Sequence, residues 1–221
     1  MTVSDDPLAR QWSSGPRPRV YDFTIQHERF FRLLSRVIWA ADVRPFYADL
    51  AALRDLPDGT QVLDVPCGGG VAFRGLRPGA SVRYVAADVS PIMLERARAV
   101  AERRGLTNVE LARADVADLP YDDGTFDLCL CYNGFHCFQD PAGAAVELAR
   151  VLRAGAELRG TVVVSGGGRL SARAVSFFQR TDQFGTVGTE DDVRRWLSGA
   201  GFGDLRLERQ GAWLAFRALR G

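Results

Sequence analysis

Apolar and polar positions fall into three regimes along the chain. Between residues 22 and 55 apolar side chains recur at helical spacing, from Phe23, Ile25, Phe30 and Phe31 through Leu33, Leu34, Val37, Ile38 and Trp39. Pro45 breaks that run, and residues 46–53 suit a second helix that stops near Pro57-Asp58-Gly59. From residue 61 to 164, short apolar runs alternate with helical stretches. The runs predict strands at 61–65, 81–87, 109–114, 126–132 and 157–164, with 126–132 nearly all apolar and hence central. Between them fall a short helix at 71–76, a helix opened by Ser90-Pro91 and ended by Gly105, and a helix at 141–152. Beyond residue 165 the pattern loosens. Gly166-Gly167-Gly168 starts an irregular stretch to about Gly188, with room for a helix at 171–180. Thr189 and Asp192 then cap a helix reaching Ser198, and two apolar runs at 205–208 and 213–219, joined by Arg209-Gln210-Gly211, read as a hairpin. Alternating strands and helices imply an α/β fold, a parallel sheet with helices on both faces. The hairpin is expected to add one antiparallel strand at its edge.

Composition narrows the function more than the fold. At 221 residues the chain suits one domain, and 47% hydrophobic with 25% charged residues is an ordinary globular balance. The formal net charge of +1 creates no global field favouring nucleic acid or an anionic membrane. Every basic residue is arginine, which excludes a lysine nucleophile or Schiff base. No apolar window reaches the roughly 18 residues of a membrane-spanning helix. The N-terminal MTVSDDPLARQWSSGPRPRV lacks the apolar core of a signal peptide. Cys67, Cys129, Cys131 and Cys137 match neither zinc-site nor disulfide spacing, and no carboxylate–histidine cluster suggests a metal. The expectation is a reduced, cytoplasmic protein without a metal ion.

The candidate chemistry starts at Asp64 to Gly75, DVPCGGGVAFRG, a glycine-rich turn directly after the first strand. A dinucleotide fingerprint would need G-x-G-x-x-G. Counting from residue 66 gives Pro66, Gly68 and Val71; counting from 68 gives Gly68, Gly70 and Phe73. Both registers lack the third glycine. The carboxylate of Asp64 would also repel a pyrophosphate. Gly68 and Gly70 would let the backbone approach a ligand closely. Asp88 ends the second strand about twenty residues after the turn, where an acid can accept from both ribose hydroxyls. The site asks for a nucleoside with a free ribose, no phosphates and an amino-acid tail, which describes S-adenosylmethionine.

Four segments carry a family resemblance: VLDVPCGGG, VAADVSPIMLERAR, ARADVADLPYDDGTFDLCLC and ELARVLRAGAELRGTVVV. Together they resemble the motifs of class I S-adenosylmethionine-dependent methyltransferases over about residues 60–165. The branch most like them is the small-molecule group that includes ubiquinone and menaquinone methyltransferases, with a type 11 methyltransferase domain. Pro66 stands where the family has its first motif glycine, and Ala154 and Ala156 replace a proline and a glycine of the later segment. The resemblance implies a Rossmann-like, seven-stranded, mostly parallel sheet with helices on both faces, an antiparallel final strand and extra N-terminal helices. It divides the chain into a mobile arm at 1–20 and one methyltransferase domain at 21–221. Within the domain lie a helical cap at 21–56, a cofactor-binding core at 57–164, a lid or substrate segment at 165–188, and a C-terminal helix and hairpin at 189–221.

It also implies residue roles. Asp64 would orient the cofactor's amino group, with Cys67, Gly68 and Gly70 forming the loop around it. Asp88 would hold the ribose, Val89 and Met93 would flank the adenine, and Asp115 with the Val116 N–H would meet its edge. Tyr132 and Asn133 would line the methionine portion. His136 is the candidate base, by its ordinary pKa and its place after the fourth strand. Tyr21 could set an aromatic face toward the sulfonium. The aromatics of 21–56 and 165–188 point to a small, largely apolar acceptor (a lipid, a quinone-like ring or a secondary metabolite), with S-adenosylhomocysteine as coproduct and no nucleic-acid partner. RNA or protein methylation, a non-catalytic protein of the same fold and a nicotinamide oxidoreductase stay as alternatives. The acceptor atom and the oligomeric state stay open.

Overall fold

The computed structural model describes residues 17–221, with side chains from residue 20 onward. The expected arm lies outside the described residues up to residue 16. From Arg17 the chain is helical, so the cap begins earlier than its apolar periodicity indicated. Three helices form it: α1 (Arg17–Gln26), α2 (Glu28–Ile38) and α3 (Arg44–Ala51). His27 separates the first two, and Ala40, at φ 52°, turns the chain toward the third.

The rest alternates as β1 (Gln61–Asp64), β2 (Arg83–Asp88), α4 (Pro91–Arg103), β3 (Val109–Arg113), β4 (Phe126–Tyr132), α5 (Pro141–Val151), β5 (Leu152–Val163), α6 (Arg169–Arg180), α7 (Glu190–Gly199), β6 (Phe202–Gln210) and β7 (Trp213–Arg220). A short 3₁₀ segment, Val71–Gly75, stands where the first crossover helix was expected. The sheet has seven strands in the order β3-β2-β1-β4-β5-β7-β6. β1 pairs in parallel with both β2 and β4, so the turns leaving β1 and β4 diverge and open a crevice above the strand ends.

Side-chain alternation assigns the two faces. Val62, Tyr84, Leu128 and Leu130 join one buried cluster with the cap helices and α4. Leu63, Val85, Cys129 and Cys131 join the other, under α5 and α7. Asp49 of α3 fastens the cap to the sheet, accepting from the Tyr132 hydroxyl, from Arg217 and from Arg159 Nη1 at 3.1 Å. Burial makes such a cluster a poor source of net stability, but it fixes where α3 sits.

Two strand expectations are corrected. The last strand is not at the edge: β7 lies between β5 and β6, antiparallel to both. Its buried Trp213, Leu214, Phe216 and Ala218 suit an inner strand. β6 exposes Asp204, Arg206, Glu208 and Arg209, a charged pattern that protects an open edge. β5 also starts at Leu152, directly after α5, rather than at residue 157. Ala154, standing in place of the family's proline, keeps the N–H that a proline would lack.

Gly160 sets the closest approach in the sheet. A Cβ there would run into the Cys131 carbonyl oxygen and the Phe216 ring, both in buried strands that cannot shift. Gly160→Ala is expected to cost about 2–4 kcal/mol in chemical denaturation. Gly199→Ala, where a Cβ meets open space, should change stability by no more than about 0.5–1 kcal/mol, in the stabilising direction.

Candidate functional site

A cavity of about 1070 Å³ opens above the ends of β1, β2 and β4, between the sheet and helices α1, α2 and α6. That exceeds the usual range for one small ligand, about 300–1,000 Å³, and suits a cofactor with a second molecule.

The glycine turn is built around Asp88. Its Oδ2 accepts the Gly68 N–H at 2.9 Å and its Oδ1 the Ser90 N–H at 2.8 Å. One carboxylate therefore ties the loop after β1 to the turn after β2. Gly68 and Gly70 take φ values of 52° and 78°, the left-handed region that glycine enters without strain. Asp88 is 5% exposed, and burial raises its pKa to about 6 despite the two amide bonds that oppose the shift.

The cap closes over the same loop. A Cβ at Gly69 would overlap the carboxylate of Asp22, a buried acid of α1. Asp22 accepts from Arg96 Nε of α4 at 2.6 Å, and Gln26 Nε2 donates to the Gly69 carbonyl at 3.1 Å. The middle glycine of the triplet, Gly69, is thus explained by a helix–loop contact that sequence spacing did not reveal.

Of the residues expected at the site, Tyr21, Gly68, Asp88, Val89, Met93, Asp115, Val116, Tyr132, Asn133 and His136 line the cavity. Asp64, Cys67 and Gly70 stand behind its wall. Asp64 is 2% exposed, its Oδ2 accepts the Tyr84 hydroxyl at 2.8 Å, and burial lifts its pKa to about 7. Burial raises the Cys67 thiol well above its usual range. Gly70 borders the Phe73 ring. Asn133 takes φ 58°, a conformation asparagine tolerates better than most residues, and its Nδ2 donates to the Tyr21 hydroxyl at 3.2 Å. Burial raises the Tyr21 phenol, so it stays protonated. One Asp115 oxygen is used by the Ala117 N–H at 3.0 Å.

His136 differs from the expected base. Its Nδ1 accepts the Val163 backbone N–H at 3.1 Å, and burial lowers its pKa to about 3. In the neutral ring the proton then sits on Nε2, so the side chain donates a hydrogen bond rather than accepting a proton near neutral pH. Phe184 packs edge-on against the ring at 4.4 Å. With Trp39 and Phe178, Phe184 forms an aromatic wall. Gln183, Phe138 and Trp213 were not foreseen at the site: Gln183 sits in an irregular segment, and Trp213 reads only as a strand residue.

Four aspartates line the cavity, Asp88, Asp115, Asp118 and Asp140, and no arginine does among the described residues. A pyrophosphate would meet four acids and no counter-charge; a cationic ligand meets a favourable field. Among the described residues no group of His, Cys, Asp and Glu could hold a metal ion.

This sheet order, with a glycine turn after β1 and an acid ending β2, is the Rossmann-like fold of class I methyltransferases. Residues 63–159 match the family model described as a methyltransferase domain. The chain is 30% identical over 216 residues to 2-methyl-6-phytyl-1,4-hydroquinone methyltransferase 1, chloroplastic, of Oryza sativa subsp. japonica, covering 90% of this chain and 61% of the relative. It is 42% identical over 134 residues to demethylmenaquinone methyltransferase of Thermus thermophilus, covering 58% of each. The fold matches a SAM-dependent methyltransferase from Thermotoga maritima with TM-score 0.67 at 15% identity, over 97% of this chain and 100% of that one. The chain spans about three fifths of the length of the plant relatives it matches.

Two measurements check the electrostatics. Asp64 rises from 3.8 to about 7 on folding. Below pH 3.8 both states hold the proton; above it the unfolded state ionises first, so stability falls until about pH 7. Asp64→Asn should therefore gain stability relative to the native chain as pH rises from about 4 to 7. A pH-independent difference contradicts the assignment. The chain has two histidines, so NMR can follow each: His136 should hold its neutral Nε2–H form from about pH 8 down to 5, and titration near its free value would contradict the geometry.

Proposed function

We propose that the protein transfers a methyl group from S-adenosylmethionine to a small, largely apolar acceptor. The observation that carries this reading is the cavity built on Asp88, lined by acids and by no arginine among the described residues, which suits a nucleoside bearing a sulfonium and an ammonium group. The residues fit that cofactor. Asp88 keeps carboxylate lone pairs beyond those given to Gly68 and Ser90, enough to accept from ribose hydroxyls. Gly68 has nothing within 4 Å of a notional Cβ, leaving its backbone open to a ligand. Asp115 and the Val116 N–H would hold the adenine edge, between Val89 and Met93. Asn133 and Tyr21 would border the sulfonium. Asp64, whose Oδ1 has no partner among the described residues, would act through water on the ammonium group from behind the loop formed by Cys67, Gly68 and Gly70.

The cofactor supplies an electrophilic methyl group and leaves as S-adenosylhomocysteine. The protein's part is position and exclusion of water. Trp39, Phe178 and Phe184 would hold an apolar acceptor against the cofactor chamber, and the His136 Nε2–H would orient an oxygen on it. The relatives are named for a phytyl hydroquinone and a demethylmenaquinone, which supports an acceptor with an oxygen-bearing ring. We read α6 and the segment to residue 188 as the lid of this chamber, and residues 21–56 as its cap. Four free cysteines suit a reducing compartment such as the cytoplasm. No helix among the described residues is long and apolar enough to cross a membrane.

Calorimetry with S-adenosylmethionine, S-adenosylhomocysteine and NAD tests the reading. The two sulfur nucleosides should bind and NAD should not. Asp88→Ala should weaken binding by on the order of 10²-fold, the loss of one or two charge-assisted hydrogen bonds. Affinity in the native protein should fall as pH drops through about 6, where Asp88 takes up its proton. Binding of NAD alone would overturn the proposal.

A further inference from the structure

The cap and lid helices share an outer face, most of which lies outside the cavity. Seven of the nine exposed large apolar side chains among the described residues lie on α1, α2 and α6. On α2 they are Phe30, Leu33 and Val37, spaced three and four apart along one stripe. On α6 they are Leu170 and Phe177, two turns apart. The two helices touch, so the stripes form one surface. Leu33 is 64% exposed and Leu170 51%, far from the burial an apolar side chain finds in a core.

The same helices carry the charge. Glu28–Ile38 and Arg169–Arg180 together hold six arginines and one acid, Glu28. Arg29, Arg169, Arg173 and Arg180 have no acidic partner among the described residues. The chain's net charge of +1 therefore conceals a strongly cationic face balanced by acids elsewhere. On both helices the arginines flank the apolar stripe on the side away from the core, by helical phase. The stripe adjoins the cavity: Leu34 and Ile38, the next residues along from Leu33 and Val37, line it, as do Val20 and Phe177.

We propose that this α1–α2–α6 face docks on an anionic lipid bilayer, its Phe and Leu side chains entering the interface and its arginines meeting lipid phosphates, with the cavity mouth turned toward the membrane. Apolar residues bordered by arginine without acids match an interfacial surface, which needs both terms to bind. A second copy of the same face would set arginines against arginines. The argument from exposure and charge stands by itself; only the purpose, passage of an apolar acceptor from the bilayer into the cavity, rests on the methyl-transfer reading.

The test is co-sedimentation of the full chain with vesicles of phosphatidylcholine alone and of phosphatidylcholine with phosphatidylglycerol. Binding should require the anionic lipid and be released by about 0.5 M salt, where screening reaches only a few ångströms. Leu33→Glu with Leu170→Glu, and separately Arg29→Gln with Arg173→Gln, should each weaken binding on the order of tenfold or more. Both variants should keep the native melting temperature and native S-adenosylmethionine affinity, so a failure of docking is distinguishable from a failure of the cofactor site. Three outcomes overturn the proposal: no binding to anionic vesicles at low salt, variants that bind like the native chain, or a face that is instead occupied by RNA or by a second copy in sedimentation.

Discussion

The site depends on one buried carboxylate. Asp88 sits at the end of β2 and binds the Gly68 and Ser90 amides, so the turns after β1 and β2 are held by a single side chain. The parallel pairing of Asp64 with Ala86 carries β2 two residues past the end of β1, so Asp88 lies beside the glycine turn. Burying the acid is costly, which its raised pKa records, and two amide donors offset only part of that cost. A bound ribose would offset more.

Around that anchor the cavity separates two chemistries. Aspartates and the Asn133–Tyr21 pair supply polar lining. Trp39, Phe178 and Phe184 supply an aromatic wall, with His136 against Phe184. The burial that keeps His136 neutral also leaves its Nε2–H free of protein partners among the described residues, a donor facing an apolar chamber. The cap is fastened at two independent points, to α4 through Asp22–Arg96 and to the sheet through Asp49.

Much of this was legible in the sequence where the local pattern dictates the structure. Alternation gave the parallel strands, Ser90-Pro91 marked a helix start, and the spacing from the glycine turn to Asp88 picked out two elements that the fold joins at the cavity. The order of the last two strands was not legible, because a hairpin signal carries no information on which strand lies inside; the charges on β6 decide it. The surroundings of His136 were not legible for a related reason. Its ordinary pKa describes a solvated ring, and only the fold places it under Phe184 against the Val163 amide. Net charge hid the arginine face because summation erases geometry. Gly69 needed the cap in place before its role could be seen.

The central claim is that Asp88 and the glycine turn hold a sulfur nucleoside. A crystal structure with S-adenosylhomocysteine tests it most directly. Electron density is expected in the cavity with both ribose hydroxyls on Asp88, the adenine between Val89 and Met93, and the sulfur facing the chamber bounded by His136 and Phe184. A nucleoside bound elsewhere, or a ribose that does not reach Asp88, would contradict it.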